Sequence, residues 1–427
     1  MKSFLNKADE LTRRDALKSL AAGVLGLNIL QMSGRAAEKT GLNGGGKARS
    51  VIFVKAIGGI SQVDSFDIKE ANKEAMKGSA PIKTSADGIR VGKHFPLIAK
   101  QMHNIALINS MFNTQGAHGP AQYLMDTGYE SRGTIIHPQF GAWVSKLAQN
   151  KRTILPSFIK SGAFRGSLGG GFFGSRYAAL PVPTPSEGIK NIQLPKGSSQ
   201  AQFEKQFSLL QEMNREFAAK VKHKQVKEYH QVYEEATKLM QSKDLDAFDI
   251  SKESKATKDA YGNNSFGQSC LLARRLAETG VPFIEVSQSG WDHHGGLYEG
   301  FKEIAPLMDQ AVGAMLADLE QRGLLKNTLV VFATEFGRSP KLSGNGGRNH
   351  HPLAYTCWLA GGGVKGGQAY GKTDAMGGKI VENKVKVADF NATIAYALGL
   401  NINHIEMTES GRPIQITDKG KPVTAIF

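Results

Sequence analysis

Short, strongly apolar runs alternate along this chain with longer stretches whose apolar residues recur every three or four positions. Val51-Ile52-Phe53-Val54-Lys55-Ala56 reads as a buried strand ended by Gly58-Gly59, and Asn104 to Ser110 reads as a second. Ser157 to Lys160, Val281 to Ser287, Thr328 to Ala333 and Tyr355 to Ala360 have the same character. Leu307 to Arg322 carries the helical period and stops at Gly323. Strands alternating with helices predict an α/β fold with a mostly parallel central sheet and helices on both faces. From about residue 200 to 260 the chain is rich in Lys, Glu and Gln, with Phe203, Phe207, Leu210, Met213 and Phe217 at helical intervals. That segment predicts a helical insertion packed on the sheet.

The 427 residues and 41% hydrophobic content support a sizeable core and exclude a disordered or fibrous protein. A net charge of +15 is spread over the whole chain with no nucleic-acid motif beside it, so it implies a modest attraction for phosphate or sulfate groups and no nucleic-acid partner. Near the N-terminus, Arg13-Arg14 precede the weakly apolar run Ala21 to Leu30 and the small residues Ala36-Ala37. Residues 1–36 are expected to be a twin-arginine signal, read by the twin-arginine export machinery, which would place the mature chain in the periplasm or outside the cell. The apolar stretch, about ten residues, is too short for a stable membrane span. Cys270 and Cys357, the two cysteines, both lie in apolar segments, which excludes a disulfide framework and a thiolate zinc site.

Candidate chemistry gathers where the strands end. After the first strand come Ser61, Asp64 and Asp67, either turn and cap residues or, for Asp64 or Asp67, a metal ligand. After the second come Ser110, Thr114 and His118, followed by a helix expected over Pro120 to Met125; spacing does not say which of the three acts. Trp291-Asp292-His293-His294 follows the strand at 281, and adjacent loop residues cannot all face one ion, so Asp292 and one histidine, His294, are the expected ligands. Glu335 comes directly after a very apolar run, placed to ligate a metal or act as a base, while Arg338 could hold an anionic group. Of His350 and His351, ahead of Pro352, one is the expected ligand. Carboxylates and imidazoles without thiolates suit one or two divalent ions such as Zn, Mn or Ca. Two such ions about 4 Å apart would clamp the attacking and leaving oxygens of a phosphoryl or sulfuryl displacement. The glycine-rich stretch Gly162 to Arg176 lacks the ending of a nucleotide-binding loop and reads as a flexible wall near the cleft.

Trp-Asp-His-His-Gly-Gly at 291 to 296, Arg-Gly-Leu-Leu at 322 to 325, Thr-Glu-Phe-Gly-Arg-Ser-Pro at 334 to 340, Asn-His-His-Pro at 349 to 352 and Leu-Ala-Gly-Gly-Gly-Val-Lys-Gly-Gly at 359 to 367 resemble the domain of unknown function family 1501. The resemblance runs from about 48 to 410, within a single domain expected over 48–427. It implies an alkaline phosphatase-like three-layer sandwich, in a superfamily shared with sulfatases, where Asp and His residues at strand ends hold two metals and a Ser, Thr or modified Cys after the second strand attacks. By that likeness Asp64 or Asp67 matches the first-strand aspartate, Asp292 and His294 an Asp-and-His set, and His350 or His351 the late histidine. Glu335-Phe336 stands where the superfamily has an Asp-His pair, and Cys270 sits in an amphipathic helix with Leu272 two residues on, which rejects it as a formylglycine site. The function implied is an exported metal-dependent hydrolase of phosphate or sulfate esters acting on an anionic small molecule or polysaccharide. The alternative is a non-catalytic periplasmic binding or assembly module that retains the fold.

Overall fold

The computed structural model describes residues 46–73, 75–148, 153–162, 167–189, 199–220, 238–240 and 242–427. The expected export signal, residues 1–36, lies outside them. The main sheet takes nine strands in chain order: β1 (Ser50–Ile57), β2 (Ile105–Phe112), β3 (Phe158–Ser161), β4 (Leu180–Val182), β5 (Phe283–Ser289), β6 (Thr328–Ala333), β7 (Tyr355–Gly361), β8 (Gln368–Tyr370) and β9 (Val385–Lys386). Their spatial order is β8-β2-β7-β6-β1-β5-β3-β4, with β9 also on β2. β1 pairs in parallel with β5 and β6, and every other pairing is parallel except those of β7, which runs against both β2 and β6.

Alternation along the strands builds two cores. In β1, Ile52, Val54 and Ala56 face one hydrophobic layer, while Val51 and Phe53 face the other. The first layer is covered by α4 (Ser265–Thr279) and α5 (Leu297–Gln321), the second by α1 (His118–Thr127), α2 (Phe140–Leu147) and α6 (Val387–Ala397). Phe332 of β6 and Trp358 of β7 stack at 5.2 Å within the first layer, and each side chain of that size buried in full stabilises the fold by roughly 1.5–3 kcal/mol. Helices on both faces of a mostly parallel sheet give the three-layer, alkaline phosphatase-like sandwich that the resemblance implies.

Local sequence sets the helix ends. Asn264 caps α4 through a bond from Gly267 N–H, and Gly280 closes it in the left-handed region at φ +100°. In the segment expected to be a helical insertion, α3 (Gln200–Lys220) is followed among the described residues by short turns and the helix Lys255–Tyr261. α5 begins ten residues earlier than the helical period predicts and runs through Pro306. The reason is a continuous buried stripe, Leu297, Phe301, Ala305, Met308, Val312 and Leu319, that offsets the amide bond lost at the proline. No helix among the described residues is long and apolar enough to cross a membrane.

Candidate functional site

The parallel strands all end on one edge, and the loops leaving β1, β2, β5 and β6 meet there. β7 runs the other way, so its beginning reaches the same edge and the residues before it, including His350, join the loops that follow the other strands. Backbone bonds fix the meeting point: Trp291 N–H reaches Ile57 O at 3.2 Å, Arg348 N–H reaches His293 O at 3.0 Å, and Asn113 N–H reaches Pro352 O at 2.8 Å. Gly58 is required in this packing, because it adopts φ +119° and a Cβ there would lie 2.6 Å from the backbone nitrogen of Asp292.

Asp292 is the hub. Its Oδ2 lies 3.1 Å from His118 Nε2, and its Oδ1 lies 3.1 Å from His294 Nε2 and 3.2 Å from His350 Nε2. The two imidazole nitrogens of His294 and His350 are themselves 2.9 Å apart. His118, Asp292 and His350 offer ligand atoms within 4.8 Å of one another, a cluster able to coordinate a metal ion. Arg338 also donates to Asp292 Oδ1. Burial opposes ionisation of Asp292, but Arg338, His350 and His118 outweigh it and hold the carboxyl far below its ordinary value.

The far sides of two imidazoles are tied. His350 Nδ1 is 2.8 Å from the carbonyl of Gly116, which can only accept, so Nδ1 carries a proton while Nε2 faces Asp292 Oδ1 at 3.2 Å. His118 Nδ1 donates to Glu335 Oε1 at 2.7 Å, and its Nε2, shielded from solvent, makes no aligned hydrogen bond despite its nearness to Asp292. The bond to Glu335 raises the His118 pKa against the effect of burial. Phe336 packs against both rings, 4.9 Å from His118 and 4.4 Å from His350, which are themselves 4.5 Å apart. Two imidazole nitrogens that converge on a carboxylate, each ring tied on its far side to an acceptor, fit a divalent cation.

A family model described as Protein of unknown function (DUF1501) matches residues 48–427. The chain belongs to this family. No curated protein matches it. Solved structures similar to this DUF1501 chain include the lipoteichoic acid synthase LtaP from Listeria monocytogenes, 9% identical over 88% of this chain and 78% of that one with a TM-score of 0.40. The PsFucS1 sulfatase from Pseudoalteromonas sp. is 14% identical over 90% and 72%, with a TM-score of 0.38. The alkaline phosphatase from the Antarctic bacterium TAB5 is 11% identical over 83% and 99%, with a TM-score of 0.36.

The other residues singled out from the sequence of this DUF1501 chain have partners elsewhere. Asp64 is buried against Arg348 Nε at 2.8 Å and accepts from the Ser61 hydroxyl; burial pushes its carboxyl up while Arg348 pulls it down. Asp67 pairs with Lys69 at 2.7 Å and accepts from Thr373. The Ser110 hydroxyl donates to Asn383 O at 2.6 Å, and the Thr114 hydroxyl to Glu130 at 2.6 Å. His351 Nε2 donates to Gly378 O at 2.7 Å, away from the cluster. Arg338, expected to hold a substrate anion, has no exposed side-chain surface: its guanidinium donates to the carbonyls of Gly58, Gly59 and Arg348 as well as to Asp292. Its charge is directed inward, onto the hub. Of the glycine-rich stretch, residues 163–166 lie outside the described residues; the rest packs on the start of α2, with Gln139 N–H on Gly169 O at 2.8 Å.

Three contributors are not among the residues expected from the sequence. Arg348, fully buried, gathers Asp64 and the carbonyls of Ala75, Ser339 and Pro340. Gln122 donates to Glu335 at 3.2 Å, and its place four residues after His118 on one helix was a readable sign that both face the same way. The Gly116 carbonyl has no side-chain signature at all.

Proposed function

We propose that this chain is an exported metal-dependent hydrolase of phosphate or sulfate esters, with Asp292, His118 and His350 holding the ion and His294 beside them. The observation that carries the reading is the convergence of two imidazole nitrogens and a carboxylate at the carboxyl edge of a parallel sheet, where α/β ligands collect. The donor set suits Zn or Mn, and such an ion would supply Lewis-acid polarisation of a phosphoryl or sulfuryl oxygen. The chain's own residues do the rest. Gly116 and Glu335 hold the two imidazoles in the tautomer that points Nε2 inward. Arg338 keeps Asp292 ionised from behind, and Asp292, with 44% of its side chain exposed, leaves the cluster open to a substrate. Ser110 and Thr114 are both engaged away from the hub, so water is the attacking group in this reading.

The engagement of those two hydroxyls also favours the second reading, a binding or assembly module without turnover. Elemental analysis of the purified chain and a panel of phosphate and sulfate monoesters and diesters separate the two. Bound divalent ion and turnover, both abolished in Asp292→Ala, are expected; undiminished turnover by metal-free protein would overturn the proposal, and tight anion binding without product would select the module.

A further inference from the structure

We infer that Glu335 is a positioning residue for this centre, acting through His118 from outside the coordination sphere. The inference rests on the metal-binding reading and deepens it, because Glu335 has the residue type and the strand-end position of a ligand. Its surroundings argue for the other role. Glu335 Oε1 already accepts three bonds, from Gly58 N–H at 2.9 Å, His118 Nδ1–H at 2.7 Å and Gln122 Nε2–H at 3.2 Å. Its other oxygen is turned back to the Thr334 hydroxyl, 3.3 Å away on the same strand end. Only 2% of the side chain is exposed. A carboxylate oxygen offers about two lone-pair directions, so three donors leave Oε1 none to give to an ion.

What Glu335 controls is the ring in front of it. A carboxylate accepting from Nδ1 fixes both the tautomer and the plane of the imidazole and makes Nε2 the more basic donor. Three elements define the carboxylate's own place: Gly58 after β1, Gln122 on α1 and the backbone after β6, where Asn113 Nδ2 bonds Glu335 O at 2.7 Å. His118 is thereby referenced to the rigid sheet although it sits at the first residue of α1. His350 has a carbonyl from Gly116 in the same role. The two rings are held by different kinds of acceptor, and only the one behind His118 carries charge.

The test uses the full folded chain stripped of metal and titrated with Zn2+ alone or Mn2+ alone against a chromogenic chelator. Glu335→Gln keeps an acceptor for Nδ1–H and is expected to lower affinity by less than about tenfold; Glu335→Ala lowers it by about 10–100-fold, the usual loss when such an outer partner is removed. Asp292→Ala abolishes binding. In parallel, 15N spectra of the His118 ring report the Nδ1–H form in the parent and in Glu335→Gln, and a mixture of tautomers in Glu335→Ala. Loss of binding in Glu335→Gln equal to that in Asp292→Ala would make Glu335 a ligand and overturn the inference. So would an unchanged His118 tautomer in Glu335→Ala. Failure of the parent to bind any ion counts against the proposed function instead, and the ring spectra still decide the role of Glu335.

Discussion

Adjacent histidines in this chain differ in their roles because a strand sorts neighbours to opposite faces. His350 and His351 form a short antiparallel pairing with Arg338 and Gly337, so one ring turns to the hub and the other to Gly378. The sequence leads one to expect a single ligand of the two; the register, set by the loop opposite, decides which ring faces the hub. Asp64 and Asp67 were visible as acids at a strand end, but the partner that occupies Asp64 lies 284 residues away and no local pattern announces it. Phe336, which breaks the acid-histidine pair of the resembling superfamily, has a positive role here as the apolar support of two imidazoles. Gly58 is the most constrained position of the set. Gly58→Ala is expected to cost about 1–3 kcal/mol through its left-handed conformation and to weaken ion binding by displacing Asp292. Urea melts and chelator competition check both effects, and a variant equal to the parent in both would contradict the packing described.

At the scale of elements, the long apolar strands were legible because each carries its burial in its own residues. β4, β8 and β9 were not, since two or three residues at the sheet margin hold no period to read. Helix α5 was legible in part; Pro306 hid its first turns, and only the tertiary stripe restores them. The same helix supplies a pH-dependent contact. Asp309 accepts from the backbone of Leu97 at 2.9 and 3.0 Å and of Ile98 at 2.8 Å, at the start of the short helix Pro96–Lys100. Burial outweighs those bonds and pushes its carboxyl up to about 6 from an ordinary 3.8. The folded chain therefore holds this proton more tightly than the unfolded chain. The resulting stabilisation is fully present below the unfolded value and is lost as pH rises through the folded one. Asp309→Asn removes the titration and keeps an acceptor, so the stability difference between parent and variant should change between about pH 4 and 6 and stay constant above about 7. Urea midpoints measured across that range test this, and parallel curves would refute it.

For the whole molecule, a ligand that binds only the folded state adds to its stability by mass action. With free Zn2+ at about 100 times its dissociation constant, unfolding should cost about 2.7 kcal/mol more than in chelator. Asp292→Ala should remove that dependence and Asp67→Asn should leave it, because Asp67 is committed to Lys69 and Thr373. A midpoint insensitive to metal in the parent would count against the centre. The fold class was legible from strand and helix alternation, and the edge that carries the site followed from it. The reversed direction of β7 in the main sheet was not legible, since apolar runs carry no direction.

The direction of β7 also bears on how the loops of the site are gathered. Because that strand enters the sheet at the site edge, His350 comes before it and is separated from Asp292 by 58 residues, while His118 and its partner Glu335 are 217 residues apart. An ion there would act as a cross-link between three remote loops, closing two large rings of chain. Loop-closure entropy grows only logarithmically, by about 0.6 kcal/mol per doubling of ring size, so remoteness adds little to the cost of assembling such a clasp. Bound by the folded chain alone, the ion would hold three remote loops together at a single point on the sheet's edge and leave the unfolded ensemble as it is.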